Sequence, residues 1–416
     1  MINIQFPTNP NFDEFHYIPS AKQFLQLKPN QNWEHPPLAK ELMAIGIGLW
    51  GDRPIGWRFM STLFGSFTLL GMYFWAVALF RNQRIAVWVA LITILNQLLY
   101  VQARIGMLDT FMFTFIVWAM ATFTATWRPI GDELSLSQVR RLLLVCGICL
   151  GLGNACKWFT VIPWALCIGW VCLVRLFQYW RTRFDQPAED DWYSPALWQG
   201  LKLKDWVLYL GIVPLAAYFV TFIPFLFIDS PDYGFFQIFT SMQYKMWDGQ
   251  GRVVNSHPYM STWTDWATIK RPIWYAFDKE GARSEFVRGV ILLGNPWILW
   301  TGLIAIATCA WSWIQERKRD AFIIFTTFAA FYFSWAIIPR KVAFFYYYYP
   351  AGMVLSLALG FVFYHGERAF SLKVNWPRWA FFAVALVVFI YFFPISAALQ
   401  IPADTFRKWM WRSSWI

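Results

Sequence analysis

The sequence predicts an all-α polytopic membrane protein, and three observations carry that expectation. Apolar residues make up 58% of the 416-residue chain and charged residues only 14%, with a mean hydropathy of +0.40. Soluble domains rarely show that balance. Apolar runs recur along nearly the whole chain, most of them long enough to cross ~30 Å of hydrocarbon as a helix. The 28 Trp and 18 Tyr suit the two membrane interfaces, where an amphipathic ring is half buried and half wet.

Charge and cysteine usage fit the same class. A net charge of +11 is better matched to anionic lipid head groups and a basic cytoplasmic face than to nucleic acid, because no soluble basic domain stands apart to bind it. Cys146, Cys149, Cys156, Cys167, Cys172 and Cys309 all fall within apolar segments and are expected as small core residues. Cys146 and Cys149 have C-x-x-C spacing, but no partner pair or neighbouring histidine completes a metal site. Met1 to Pro10 has neither a basic n-region nor an apolar h-region, so no signal peptide is visible.

Taken in order, residues 1–53 read as an extracytoplasmic catalytic loop. Within it, Trp33 to Gly51 forms a surface helix, since Pro36 and Pro37 suit a helix start and Lys40 and Glu41 give one polar side. Apolar runs follow at Pro54–Phe80, Ile85–Val101, Leu108–Trp127, Leu142–Ala155, Trp158–Leu176 and Trp206–Ile228. After a large loop at 229–289 come Val290–Ile314, Ala321–Ile338, Tyr346–Tyr364 and Trp379–Leu399. That makes about ten transmembrane helices: an N-terminal bundle over 54–228 and a C-terminal four-helix region over 290–400, with an extracytoplasmic tail at 401–416.

Orientation follows from the loops. If every run crosses, one side holds Arg81 and Arg84; Arg128, Arg140 and Arg141; Arg175, Arg181 and Arg183; Arg317, Lys318 and Arg319; and Arg368, Lys373 and Arg378. That side is expected in the cytoplasm. The other face then carries Asp13, Glu14, the Arg104–Asp109 turn, Lys157, the large loop and the Pro339-Arg340-Lys341 turn. Arg340 and Lys341 between two spans are costly near hydrocarbon unless an anion or a wet cavity receives them. They read either as a phosphate clamp or as long side chains snorkelling to the interface.

Nine short stretches carry a family resemblance. They are Asn11–Tyr17 (N-F-D-E-F-H-Y), Glu34–Lys40 (E-H-P-P-L-A-K), Gly56–Ser61, Arg104–Asp109 (R-I-G-M-L-D), Lys157-Trp158, Ser256–Tyr259 (S-H-P-Y), Arg271–Tyr275, Leu293–Trp297 (L-G-N-P-W), and Pro339-Arg340-Lys341 ahead of Tyr346–Pro350. In this order, and over nearly the whole chain, they resemble the signatures of the protein O-mannosyltransferases. The resemblance implies a GT-C-type glycosyltransferase fold. It also implies an activity: inverting transfer of mannose from a polyprenyl- or dolichyl-phosphate carrier to Ser/Thr hydroxyls of exported proteins. The family normally has eleven spans with the Asp-Glu loop after the first, so this chain is expected to lack the usual first helix. Eukaryotic members insert a β-trefoil-rich domain in the large outer loop, and 229–289 is too short for one. A prokaryotic form in the plasma membrane, with an extracytoplasmic active site, is the expectation.

The chemistry assigns roles to named residues. A sugar leaving a phosphate needs a base for the acceptor hydroxyl and cations for the departing group. Asp13 is the expected base, also by the resemblance, and Glu14 shares the catalytic assignment. Neighbours in extended backbone point apart, so Glu14 reads either as a contact to the acceptor or as a salt bridge to a cation such as Arg58. Arg340, Lys341, Lys157 and Arg58 are the expected donor-phosphate cations. His16, His35, Lys40, Arg104, Asp109, His257 and Tyr259 are assigned to acceptor contact or structural support, Asp109 alternatively as an anion favoured at a helix start. Trp263 and Trp266 are read as facing sugar or peptide, or as resting on the bilayer. No cofactor is required, since the lipid-linked sugar is a substrate; a divalent ion at the acidic pair is conceivable although no metal site is evident.

Two other readings compete. A related lipid-phosphate-sugar transferase acting on a lipid or glycan acceptor would share the topology and the outer base. A transporter or scramblase would show mid-span charges and paired broken helices, and the sequence has few of the former and no convincing internal repeat.

Overall fold

A computed structural model describes residues 1–129, 134–184, 192–251, 256–338, 340–369 and 376–416. Pro339 and Lys373, with the side chains of Arg181 and Arg368, lie outside the described residues. Helices α1 (Glu14–Leu25) and α2 (Leu38–Trp50) precede α3 (Pro54–Phe80), followed by α4 (Gln83–Leu95), α5 (Gln97–Gln102), α6 (Leu108–Ala125), α7 (Leu136–Cys156) and α8 (Val161–Phe184). The next crossing is segmented into α9 (Leu203–Val207), a π turn, α10 (Val213–Val220) and a 3-10 turn over Ile223–Phe227. Short helices α11 (Phe235–Phe239), α12 (Ser241–Gly251) and α13 (Trp263–Trp266) and strands β1 (Ile273–Glu280) and β2 (Phe286–Leu292) lead into α14 (Pro296–Glu316), α15 (Arg319–Ile337), α16 (Tyr349–Ala369) and α17 (Trp376–Ser396).

Among the described residues, nine helical segments are long and apolar enough to cross a membrane, and α4 is apolar but shorter. The tenth expected span is cut by Asn96. Its backbone is extended, its Oδ1 accepts from Leu98 N at 3.2 Å to start α5, and its Nδ2 donates to Gly352 O at 3.3 Å. Asn295 does the same before α14: its Oδ1 caps Trp297 and Ile298, while Nδ2 donates to Leu95 O and Ala385 O, tying α4, α14 and α17 together.

The span from Phe345 to Gly366 is the axis of the C-terminal half, 94% buried by protein against 22% for α17. Hydrocarbon gives helices no hydrophobic reason to associate, so close packing and polar contacts must hold them. A Cβ on Gly302 would meet Leu355 Cβ at 2.6 Å, and one on Gly360 would meet Val89 Cγ2 at 2.4 Å. Glycine at these two crossings lets α14 and α4 touch α16. Between α3 and α6 the contacts are hydroxyls and an indole: Thr68 with Thr114 at 2.7 Å, and Trp75 Nε1 donating to Thr124 at 3.1 Å.

Several expectations are corrected. Residues 1–53 hold a second helix that was not expected, α1, which buries Tyr17, Ile18, Ala21 and Phe24 on one helical face. The helix expected from Trp33 starts at Leu38. The run expected from Val290 opens in β2, and its helix begins only after the Asn295 cap. The tail is no free tail: β3 (Ile401–Pro402) pairs with β2 to complete a three-stranded antiparallel sheet, β1-β2-β3, and Trp274 Nε1 donates to Trp415 O at 2.8 Å. Trp266 is buried against Trp335 and Tyr347, and so faces neither substrate nor lipid. Cys172 is exposed, unlike the buried Cys146, Cys156, Cys167 and Cys309.

The two ends of the bundle are distinct. At one, Arg319 donates to Leu79 O and Trp127 O, and His365 meets Asp320 at 2.7 Å. At the other, the starts of α1, α6 and α16 and the end of α7 converge around Asp13.

Candidate active site

Phe12 sets the site's geometry. Its backbone is left-handed (φ 52°), a conformation a bulky residue adopts only where its surroundings force it. Its ring is held edge-on by His257, Tyr275, Phe344 and Tyr346, at 5.3–6.1 Å between centroids. Asp13 follows at the start of α1 yet does not cap it. The amides of Phe15 and His16 bond instead to the carbonyls of Phe12 and Asp13. The Asp13 carboxylate is left to turn inward, where Oδ2 accepts from Tyr17 Oη at 3.2 Å and Tyr346 Oη at 3.4 Å. Loss of water raises its pKa above the usual carboxylate range; Lys157 opposes the rise, Asp109 adds to it, and His16 opposes it.

Glu14 is structural. Its fully buried carboxylate takes a bidentate pair from Arg58, 2.8 Å to Nε and 2.7 Å to Nη2, and accepts from the amides of Gly106 at 2.7 Å and Asn11 at 3.1 Å. No lone pair remains for an acceptor, which removes it from the catalytic assignment. Arg58 is likewise no phosphate ligand, because its other nitrogen reaches Ile4 O and Pro7 O and no surface of it is exposed. Arg104 sends Nη1 to Ser396 O and Nη2 to Asn3 O, each at 2.7 Å, joining the N-terminal segment to the end of α17. Its role is support, not acceptor contact.

The cations beside Asp13 come from two elements. Lys157, in extended backbone between α7 and α8, pairs with both oxygens of Asp109 at 2.9 and 3.0 Å and lies over the rings of Tyr346 and Tyr347. Asp109 sits in the first turn of α6, where its carboxylate meets both the N-terminal end of the helix and Lys157. Arg340 donates to Gln250 Oε1 at 2.9 Å and covers Tyr347. Lys341 is exposed and joins none of these contacts, so the expected pair of cations in that turn reduces to one.

His35 belongs to the same network. Burial, then Lys157, Lys40 and Arg340, hold its pKa well below the usual imidazole value. The neutral ring therefore accepts from Gln250 Nε2 at Nδ1 (3.3 Å) and carries its hydrogen on Nε2. Lys40 is buried beneath, donating to His35 O at 2.8 Å and to Asn32 O, and burial lowers its pKa to about 7. It braces the 32–35 turn.

Asp13 also lines an open groove of about 410 Å³, walled by Phe12, Phe15, His16, His257, Tyr259 and Phe344, which neither Lys157 nor Arg340 lines. His257 Nδ1 accepts from Tyr259 N at 3.1 Å, fixing that ring across the groove. His16 is exposed at its edge.

Comparison with known proteins now bears on this geometry. Residues 52–224 match a family model described as dolichyl-phosphate-mannose-protein mannosyltransferase, and residues 235–415 match the C-terminal four TMM region of protein-O-mannosyltransferase. The chain belongs to the protein O-mannosyltransferase family. A polyprenol-phosphate-mannose–protein mannosyltransferase of Mycolicibacterium smegmatis is 25% identical, covering 100% of this chain and 90% of its own length. The protein of that description from Mycobacterium tuberculosis is also 25% identical, over 98% of this chain and 86% of its own. Among solved structures, the Saccharomyces cerevisiae Pmt1-Pmt2 complex bound to the sugar donor superposes with a TM-score of 0.79 at 16% identity, covering 99% of this chain and 90% of that one. ArnT from Cupriavidus metallidurans gives 0.57 at 15% identity over 93% and 59%. At such identities the structures show the fold alone, and the fold is that of the GT-C glycosyltransferases.

Within this mannosyltransferase scaffold, sequence reasoning missed Tyr17, Tyr346, Gln250 and the wedge of Phe12. Tyr17 stands four residues after Asp13, one helical turn on, and that spacing was the available signal. Gln250 had none, and Tyr346, although it stands in one of the nine family stretches, gave no sign of meeting Asp13 across 333 residues. Among the described residues no group of three His, Cys, Asp or Glu side chains converges to hold a metal ion.

Proposed function

We propose that this protein transfers mannose from a polyprenyl- or dolichyl-phosphate carrier to Ser/Thr hydroxyls of exported proteins, at the outer face of the cell membrane. Asp13 is the base. The acceptor oxygen forms its bond to the anomeric carbon as the bond from that carbon to the phosphate oxygen breaks. The hydroxyl proton passes to Asp13, and the phosphate leaves with the bonding pair. A single displacement inverts the anomeric carbon, and no cofactor enters.

The observation that carries this reading is the position of Asp13. Among the described residues its carboxylate has no ion-pair partner; Lys157 and Arg340 lie close enough to act on it, and it lines an aromatic groove open to an acceptor. The neighbouring acid, by contrast, is spent on Arg58. Membranes carrying Asp13→Asn should lose mannose transfer from undecaprenyl-phosphate-mannose to a Thr-containing peptide by at least ~10²-fold at unchanged protein level. Wild-type turnover in that variant would remove Asp13 as base.

A further inference from the structure

The carboxylate of Asp13 has two oxygens, and the structure treats them differently. Oδ2 receives both phenols, Tyr17 from the second turn of α1 and Tyr346 from the turn that opens α16. Nothing among the described residues donates to Oδ1, although Asp13 lines the groove. An aspartate at a helix start ordinarily spends an oxygen on the first free amides. Here the carbonyls of Phe12 and Asp13 satisfy those amides, so Oδ1 is kept free.

Both phenols are themselves fixed. Tyr17 is buried and meets the His35 ring edge-on at 6.2 Å. Tyr346 is buried, stacked on Phe344 at 13° between planes, and covered by Lys157. Neither ring can swing away without breaking that packing.

We infer that Tyr17 and Tyr346 are a pair of positioning residues that pin Oδ2 of Asp13 and so assign Oδ1 as the atom that takes the acceptor proton. The inference rests on the reading of Asp13 as base. Two donated hydrogen bonds stabilise the carboxylate over the carboxylic acid, and they fix the rotation that would otherwise let either oxygen face the groove. Other titratable groups surround them: His16 and Tyr17 face Asp13 from α1, Asp109 from α6, Lys157 from the end of α7, Tyr275 from β1, and Arg340 and Tyr346 from the segment before α16, where Tyr347 neighbours both phenols. Of these, only Tyr17 and Tyr346 donate hydrogen bonds to the carboxylate.

The test uses the full chain in liposomes, with undecaprenyl-phosphate-mannose and a Thr-containing peptide, and measures kcat and both KM values from about pH 5 to pH 9. Tyr17→Phe and Tyr346→Phe keep the rings and delete the hydrogen bonds. Each is expected to lower kcat about ten-fold and to move the acid limb of the profile up by about one pH unit, with both KM values within about two-fold of wild type. An acid limb that stays in place in both variants overturns the inference, whether kcat is unchanged or falls with rising KM values, since packing alone would then explain the tyrosines. Asp13→Asn is run alongside. If it is inactive while the tyrosine variants match wild type, the pinning is wrong and the base stands; if it is active, the base reading fails and takes the pinning with it. Should one tyrosine variant not accumulate, the other decides.

Discussion

Asp13 and Glu14 are adjacent acids with opposite fates, and the difference lies in what each carboxylate meets. Glu14 meets a guanidinium and two amides in a dry interior, while Asp13 meets two phenols and an open groove. Removing one member of a buried ion pair strands the other, at a cost of about 3–5 kcal/mol. Glu14→Gln and Arg58→Met should therefore lower the thermal stability of the detergent-solubilised protein, whereas Asp13→Asn should leave it near wild type. A melting temperature for Glu14→Gln equal to wild type would contradict the structural role given to the pair. The adjacency of the two acids was plain in the sequence, and the pairing with Arg58 was one of two open readings. Burial decided between them, and burial depends on residues 44 positions away.

At the scale of elements, the donor side is built by the ends of helices. Lys157 fills the break between α7 and α8, and Arg340 follows α15 at its exit, held by Gln250 of α12. A guanidinium on a short turn, already bonded to a neutral amide, remains able to donate to a phosphate. Arg340→Ala is expected to raise the KM for undecaprenyl-phosphate-mannose roughly ten-fold, with the peptide KM changed far less. Donor saturation curves that superpose on wild type would exclude Arg340 from phosphate binding. The sequence marked this turn because cations between spans are conspicuous. It gave no sign that Lys341 would point away or that Gln250 would brace Arg340, since α12 lies in a segment with no strong periodicity. The strand β2 was hidden for a related reason, since its apolar residues run on toward the following helix, and β3 is only two residues long.

For the molecule as a whole, the alternation of spans places the basic ends near Arg319 and the site around Asp13 at opposite ends of one bundle. With basic loops retained in the cytoplasm, a cysteine introduced at exposed Phe15 should react with a membrane-impermeant maleimide in intact cells, and one at exposed Arg84 only after lysis. The reverse pattern would invert the proposed orientation. Composition and run length determined by themselves that this chain is a helical membrane protein, and the nine motifs determined its family, because both are properties of local sequence that hydrocarbon thickness and chemistry read directly. Tertiary structure alone decided which acid is free, which cations face it and which tyrosines hold it. Those answers depend on where desolvation and hydrogen-bond partners fall when segments hundreds of residues apart meet, as Asp13 meets Tyr346, and no local pattern records that meeting.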